Sequence, residues 1–457
     1  MARDVVDMTP LESRDELVAW LAAGVKPRAR FRIGTEHEKF GFTVGRHEPL
    51  PYEGRRSIRA LLEGMKMLLG WEPIMEAGSI IGLVDVTGGG AISLEPGGQF
   101  ELSGAPVETV HQTCSELMAH LAQLREVAVP LGIGFLGLGM APTWSRSEMP
   151  VMPKGRYRIM TAYMPKVGRL GLDMMYRTCT VQTNLDFSSE ADMVKKLRVA
   201  LSLQPIATAM FANSPFTDGK PNGFLSFRSE IWRDTDPDRS GMLPWAFEPG
   251  MGFERWADYA LDVPMYFVKR GETYHDVAGR SFRDLLAGRL AELPGERATI
   301  SDWANHLSTI FPEVRLKRFI EVRGADGGAW RRICGLPALW AGLLYDTTAL
   351  DAAWDMVKDW TAEEREALRD AVPKLAFKTP FRNTDVLTLV RQMLELATQG
   401  LRARANLDGG GASEEGFLAP LWDLTERKQT RAEEMLALYH GAWQGDASKI
   451  FEDYNFL

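Results

Sequence analysis

A chain of 457 residues, 45% apolar and 25% charged, has the make-up of an ordinary folded protein and is long enough to bury a large core. Its 53 Lys and Arg against 61 Asp and Glu give a net charge of −8 without a basic run, which argues against nucleic acid as a partner, since neutralising phosphates needs a cationic face. The longest apolar stretch, 334–345, falls short of the about 20 residues that a membrane-spanning helix needs, so no membrane is expected.

The opening MARDVVDMTPLESRDELVAW has acids early and no apolar segment followed by small residues. It matches neither a secretory signal nor an acid-poor transit peptide, and a cytoplasmic location is expected. The three cysteines, Cys114, Cys179 and Cys334, form no CxxC, which excludes a disulfide scaffold and cysteine-bound zinc.

In chain order, ESRDELVAWLAAG has helical spacing, and RFRIGTEHEKFGFTVG alternates as a strand. In that strand Glu36 and Glu38 share a face with Phe40 and Phe42, so two like charges stand close together beside aromatic rings. A solvated strand edge would explain the pair equally well taken alone. After a helix at SIRALLEGMKMLLG, the stretch SLEPGGQFEL reads as a hairpin with Glu95 just before its Pro-Gly-Gly turn and Glu101 just after it. A long helix follows, with Val110, Cys114, Leu117, Leu121, Leu124 and Ala128 on its buried face.

GFLGLGM and TCTVQTNLDF are predicted strands; in the second, Thr180, Gln182, Asn184 and Asp186 share a polar face. A helix over EADMVKKLRVALSLQPIATAMFAN leads towards EVRLKRFIEVRG, another strand region, where Glu321 and Arg323 share a face as an ion pair or as part of a site. After Cys334 the pattern is almost continuously helical, and NLDGGGASEEG reads as a flexible connector. The expected organisation is one domain over 1–457, with a mixed sheet and helix core to 334 and a mainly helical part over 335–457.

Several strands thus each offer a carboxylate or amide oxygen on one face, and hard oxygen donors from neighbouring strands suit Mg2+. Water-facing sheets can show acids too, but here the acids stand beside glycines and aromatics. No GxxxxGK[ST], HExxH or GxSxG is present, and GIGFLG follows a helix where a dinucleotide site would need strand, turn, then helix. Any phosphate handling therefore falls to oxygen-bound metal. Arg156 and Arg228, in Gly- and aromatic-rich context, could each grip a carboxylate or simply be solvated.

The strings MPKGRYRIMTAYMPKVGRLGLDMMYRTCTVQTNLDFSSEADM, LQPIATAMFANSPFTDGKPNGFLSFRSEIW, YALDVPMYF and IFPEVRLKRFIEVRGADGGAWRRICGLPALWAGLLYD closely resemble the plant and proteobacterial type of glutamate–cysteine ligase. The resemblance implies an α+β fold similar to glutamine synthetase, a curved, largely antiparallel sheet cupping the site with helices outside. It implies that ATP phosphorylates the side-chain carboxylate of L-glutamate and that L-cysteine displaces the phosphate, the first step of glutathione biosynthesis.

By the same resemblance, Glu36, Glu38, Glu95, Glu101, Gln182 and Glu321 are expected as metal ligands for Mg2+. Arg323 is expected to steady the phosphoryl group, Arg156 and Arg228 to hold glutamate, and Tyr266 to contact cysteine. Cys114 and Cys334 fall where one plant disulfide lies, while Val277 and Ala291 stand where a second would need cysteines. Cys114 on a buried stripe could also be a small hydrophobe. L-glutamate, L-cysteine and ATP are the expected partners, with at most a second copy of the chain forming a homodimer. Two rivals follow: a ligase of the same fold that joins glutamate to another amine, and a non-catalytic nucleotide- or glutamate-binding homologue.

Overall fold

The computed structural model describes residues 6–457; the first five, part of the N-terminal stretch assessed above, lie outside the described residues. Its centre is a nine-stranded sheet built from β1 (Ile33–Thr43), β2 (Glu72–Glu76), β3 (Ser79–Val84), β4 (Ala91–Leu94), β5 (Phe100–Ser103), β6 (Ile133–Leu136), β7 (Thr180–Leu185), β8 (Val314–Leu316) and β9 (Ile320–Asp326). The order is β8-β9-β7-β1-β5-β4-β3-β2 with β6 also on β1, and neighbours run antiparallel, as the expected fold requires.

Helices α1 (Arg14–Ala22), α2 (Ile58–Leu69), α3 (Val110–Leu131), α4 (Gly155–Tyr163), α5 (Gly171–Arg177), α6 (Glu190–Phe211) and α7 (Phe227–Arg233) are interposed. Most start on a side-chain cap. Ser57, Thr109, Ser189 and Ser226 accept backbone N–H bonds from the first turns of α2, α3, α6 and α7, satisfying donors that a helix start leaves free. α8 (Trp330–Tyr345) opens the helical last third.

Alternation divides the sheet into two faces. Ile33, Val181, Leu185, Ile320 and Val322 join the core shared with α6 and α8, whereas Glu36, Glu38, Gln182 and Arg323 point the other way, into a bowl. Further along the same face of β1, Phe40 and Phe42 enter a second core, edge-on to Trp144 and Phe451. The β4–β5 turn is tight: Gly98 has φ +80°, and a Cβ on Gly97 would lie 2.3 Å from the carbonyl oxygen of Tyr176.

Two findings depart from the sequence reading. The β2–β3 hairpin was not expected. The glycine run at 406–416 is not a loose connector, because Asp408 accepts from the N–H groups of Gly410 and Ala412. Within it, fully buried Glu414 caps α3 by accepting from Val110 N at 2.8 Å and pairs with Arg404. As the resemblance implies, Cys114 on α3 and Cys334 on α8 form a disulfide across Cα atoms 5.6 Å apart, while Cys179 is a buried free thiol. Among the described residues no single helix is long and apolar enough to cross a membrane.

Candidate active site

The bowl opens as a cavity of about 1150 Å³ counting the open solvent at its mouth. Its floor follows from strand register. Glu36 on β1 pairs with Gln182 on β7, and Glu38 pairs with Glu101 on β5, which in turn lies beside Ser93 on β4. Glu95 lines the same pocket from the turn. Five of the six residues expected to bind metal therefore stand on one buried floor.

Their hydrogen bonds fix them without using up their oxygens. Asn184 Nδ2 donates to Glu36 Oε1 at 3.0 Å, and Thr180 N donates to Glu38 Oε2 at 2.9 Å. Ser93 and Ser103 hydroxyls donate to the two oxygens of Glu101 at 2.6 and 2.9 Å. Burial, then the charges of Glu95 and Glu101, pushes the Glu38 carboxyl well above its ordinary range; burial and Glu101 raise Glu95 as well. Burial works against Glu101 too, yet its two serine donors help keep it below the usual value.

The opposite wall is cationic. Arg315 and Lys317 from the β8 strand region, Arg323 from β9, Arg228 from α7 and Arg156 from α4 all line the cavity. Register shifts between Val322 and Ala325, the bulge that contains Arg323, and the Arg323 guanidinium donates to Gln182 Oε1 at 2.7 Å. Arg228 is 2% exposed, donates from Nη2 to the carbonyl oxygen of Arg323 at 3.0 Å, and among the described residues has no partner for its Nε. Trp232, one turn along α7, sits over both Arg228 and Arg323 at 5.8 Å.

Two residues are placed differently from expectation. Glu321 is fully buried with both oxygens facing cations: Arg315 at 2.5 Å, Arg323 at 2.9 Å and Lys317 at 3.1 Å. Although burial acts to raise its carboxyl, those three charges hold it well below the ordinary range. Here it is the counter-ion of the cationic wall and not an open metal ligand. Tyr266 is off the wall altogether. Alternation turns its neighbour Phe267 to the pocket, while the Tyr266 ring stacks 3.8 Å from the Arg239 guanidinium and its hydroxyl donates to Asp236 Oδ2 at 3.2 Å. The expected contact with cysteine is therefore corrected to a buried structural position.

Sequence reasoning missed Arg315 and Lys317. Their signal was available: in EVRLKRFIEVRG they occupy alternate positions and share a face with Glu321 and Arg323 across the β8–β9 turn.

The donor set fits a hard divalent cation: carboxylates that raise one another's protonation would all ionise around one. Among the described residues no three acids, histidines or cysteines already close around a single ion. Mg2+ takes one or two carboxylates and completes its shell with water and phosphate oxygens.

Comparison with known proteins identifies the family. The profile of glutamate–cysteine ligase family 2 matches residues 32–453. The chain is 56% identical over 449 residues to a chloroplastic glutamate–cysteine ligase of Nicotiana tabacum, covering 98% of this chain and 84% of that one. It is 55% identical over 450 residues to the chloroplastic ligase B of Oryza sativa subsp. japonica, covering 98% and 88%. A crystal structure of a Francisella tularensis glutamate–cysteine ligase in complex with AMP has the same fold, with TM-score 0.54 at 12% identity over 99% of this chain and 90% of that one. The relatives' names overturn the expected cytoplasmic location, since those proteins are chloroplastic. The composition of an N-terminal stretch is a weak guide to compartment.

Proposed function

The chain belongs to the glutamate–cysteine ligase family and carries out the ATP-dependent first step of glutathione biosynthesis, and from that premise we propose how its pocket divides the work. A carboxylate is a poor acylating agent. The γ-carboxylate of glutamate must first attack the γ-phosphorus of ATP, releasing ADP and giving an acyl phosphate; the cysteine amine then attacks the acyl carbon, phosphate leaves, and the amine gives up a proton.

Both steps gather negative charge in one place, and the pocket is built in two halves to hold it. Arg156 and Arg228 grip glutamate through its carboxylates. Arg315, Lys317 and Arg323 face the transferring phosphoryl group. Glu36, Glu38, Glu95, Glu101 and Gln182 would hold Mg2+, which when bound neutralises nucleotide phosphates and aligns the γ-phosphorus. Glu321 holds the three cations while no phosphate is present, and their hand-over to phosphate oxygens would open its own oxygens to a cation.

The observation that carries this reading is the facing of an acidic floor and a cationic wall, tied by the bond from Arg323 to Gln182. Purified protein given ATP, Mg2+ and glutamate tests the substrate assignment through ADP release with cysteine, alanine or ammonia. Cysteine at least about tenfold ahead in kcat/KM is expected, a difference of the size that a pocket can enforce on a small side chain. Equal rates with all three amines would favour the general amine ligase, and no turnover would favour the binding homologue.

A further inference from the structure

We propose that Asp326 is a positioning residue for Arg228, and through it for the glutamate substrate. The inference rests on the reading of Arg228 as a glutamate-gripping residue. Asp326 lies outside the pocket wall, at the end of β9 and 1% exposed, so it does not itself meet substrate.

A buried carboxylate needs donors, and this one takes them from both ends of the segment that delivers Arg228. Oδ2 accepts from Asn213 N at 2.8 Å and Ser214 Oγ at 2.7 Å, where α6 has just ended. Oδ1 accepts from Ser226 Oγ at 2.8 Å, and Ser226 is the N-cap of α7. The loop 213–226 is thus pinned at its two ends to one side chain. Ser214 then closes the link, because its Oγ also accepts from the backbone N–H of Arg228 at 3.1 Å.

The chain of contacts runs from Asp326 through Ser214 to the main chain of Arg228, while the side chain of Arg228 is steadied by the Arg323 carbonyl on the same strand as Asp326. Strand β9 therefore fixes Arg228 twice. The Nε of Arg228 keeps no partner among the described residues, which suits a guanidinium held ready for a ligand carboxylate. The fit around Asp326 is close: a Cβ on Gly139 would come within 2.4 Å of its Cγ, so little space exists for the carboxylate to swing away.

An asparagine at 326 keeps the shape but loses the charge and one acceptor, so one oxygen is left for the three donors. KM for glutamate should rise about tenfold in Asp326→Asn and about threefold in Ser214→Ala, the size expected for losing a charge-assisted and a neutral hydrogen bond respectively. KM for ATP and for cysteine should stay within about twofold. Arg228→Lys and the Asp326→Asn/Arg228→Lys double variant complete a cycle, and the effects on glutamate KM should be less than additive, as for residues acting in series.

A glutamate KM unchanged in Asp326→Asn, or three KM values rising together, would overturn the proposal; if Asp326→Asn does not fold, unchanged glutamate KM in Ser214→Ala does the same. Should Arg228→Lys leave glutamate KM untouched, the reading of Arg228 itself fails. If Arg228→Lys raises it while the other two variants do not, only the positioning role is lost.

Discussion

Glu38 on β1 stands directly opposite Glu101 on β5, two carboxylates paired across adjacent strands on a buried face. Like charges in that position are destabilising, a cost that a bound cation would offset.

Glu38→Gln should therefore cut kcat by at least about a hundredfold, the scale seen when a preorganised electrostatic element of an active site is removed. Metal-free protein should unfold at the same temperature as the parent or higher, because a repulsive partner has gone. Steady-state kinetics beside thermal unfolding in a chelator checks both halves. A fall in thermal stability as large as the fall in activity would make Glu38 structural.

At Glu321 the sign reverses. Its neutral replacement, Glu321→Gln, leaves Arg315, Lys317 and Arg323 buried around one another without a counter-ion, and removing one partner of a buried ionic group costs about 3–5 kcal/mol. Equilibrium unfolding in urea should show a lower midpoint with unchanged slope. Added ATP should restore part of the loss by supplying phosphate oxygens to the same cations.

The same residue predicts an acid limb. The folded state holds Glu321 below its ordinary value of 4.5, so its contribution is fully present above that pH and is lost as the pH falls from there towards the lowered value. The stability gap between parent and Glu321→Gln should be constant near neutral pH and shrink steadily below about pH 4.5. A gap that stays constant into acid would mean that Glu321 is not charged in the folded protein.

Cys114 and Cys334 close a loop of sequence separation 220 between α3 and α8. Reduction, or Cys334→Ser, should lower stability by about 2–5 kcal/mol, with the loss appearing on thermal unfolding with and without reductant. Pocket residues lie on other elements, so glutamate KM in the reduced protein at low temperature should stay within about twofold of the oxidised form.

Much of this arrangement was legible because β1 alternates cleanly and because a Pro-Gly-Gly turn announces the β4–β5 hairpin. Side-chain parity alone puts Glu36 with Glu38. What parity cannot give is the partner strand: that Glu38 meets Glu101, and Glu36 meets Gln182, is decided by long-range pairing. The β2–β3 hairpin was hidden because Met75 is 53% exposed and Gly82 interrupts the alternation. The glycine run at 406–416 looks loose in sequence because the partner of its Glu414, the backbone N–H of Val110 at the start of α3, lies far away along the chain. Tyr266 misled by a single residue of register, with Phe267 taking the wall. Glu321 is visible in sequence as an acid, but its pairing with Arg315 and Lys317 depends on the antiparallel register of the preceding strand region.

The central claim is that the acidic floor binds a divalent cation jointly with nucleotide phosphate. Isothermal titration of Mg2+ into the protein, with and without a non-hydrolysable ATP analogue, addresses it most directly when repeated on a Glu38→Gln/Glu101→Gln variant. The account predicts binding that strengthens at least about tenfold when the analogue is present and is lost in the variant, since phosphate oxygens complete the shell that the protein leaves open. Mg2+ affinity that is the same in parent and variant, with or without nucleotide, would contradict it.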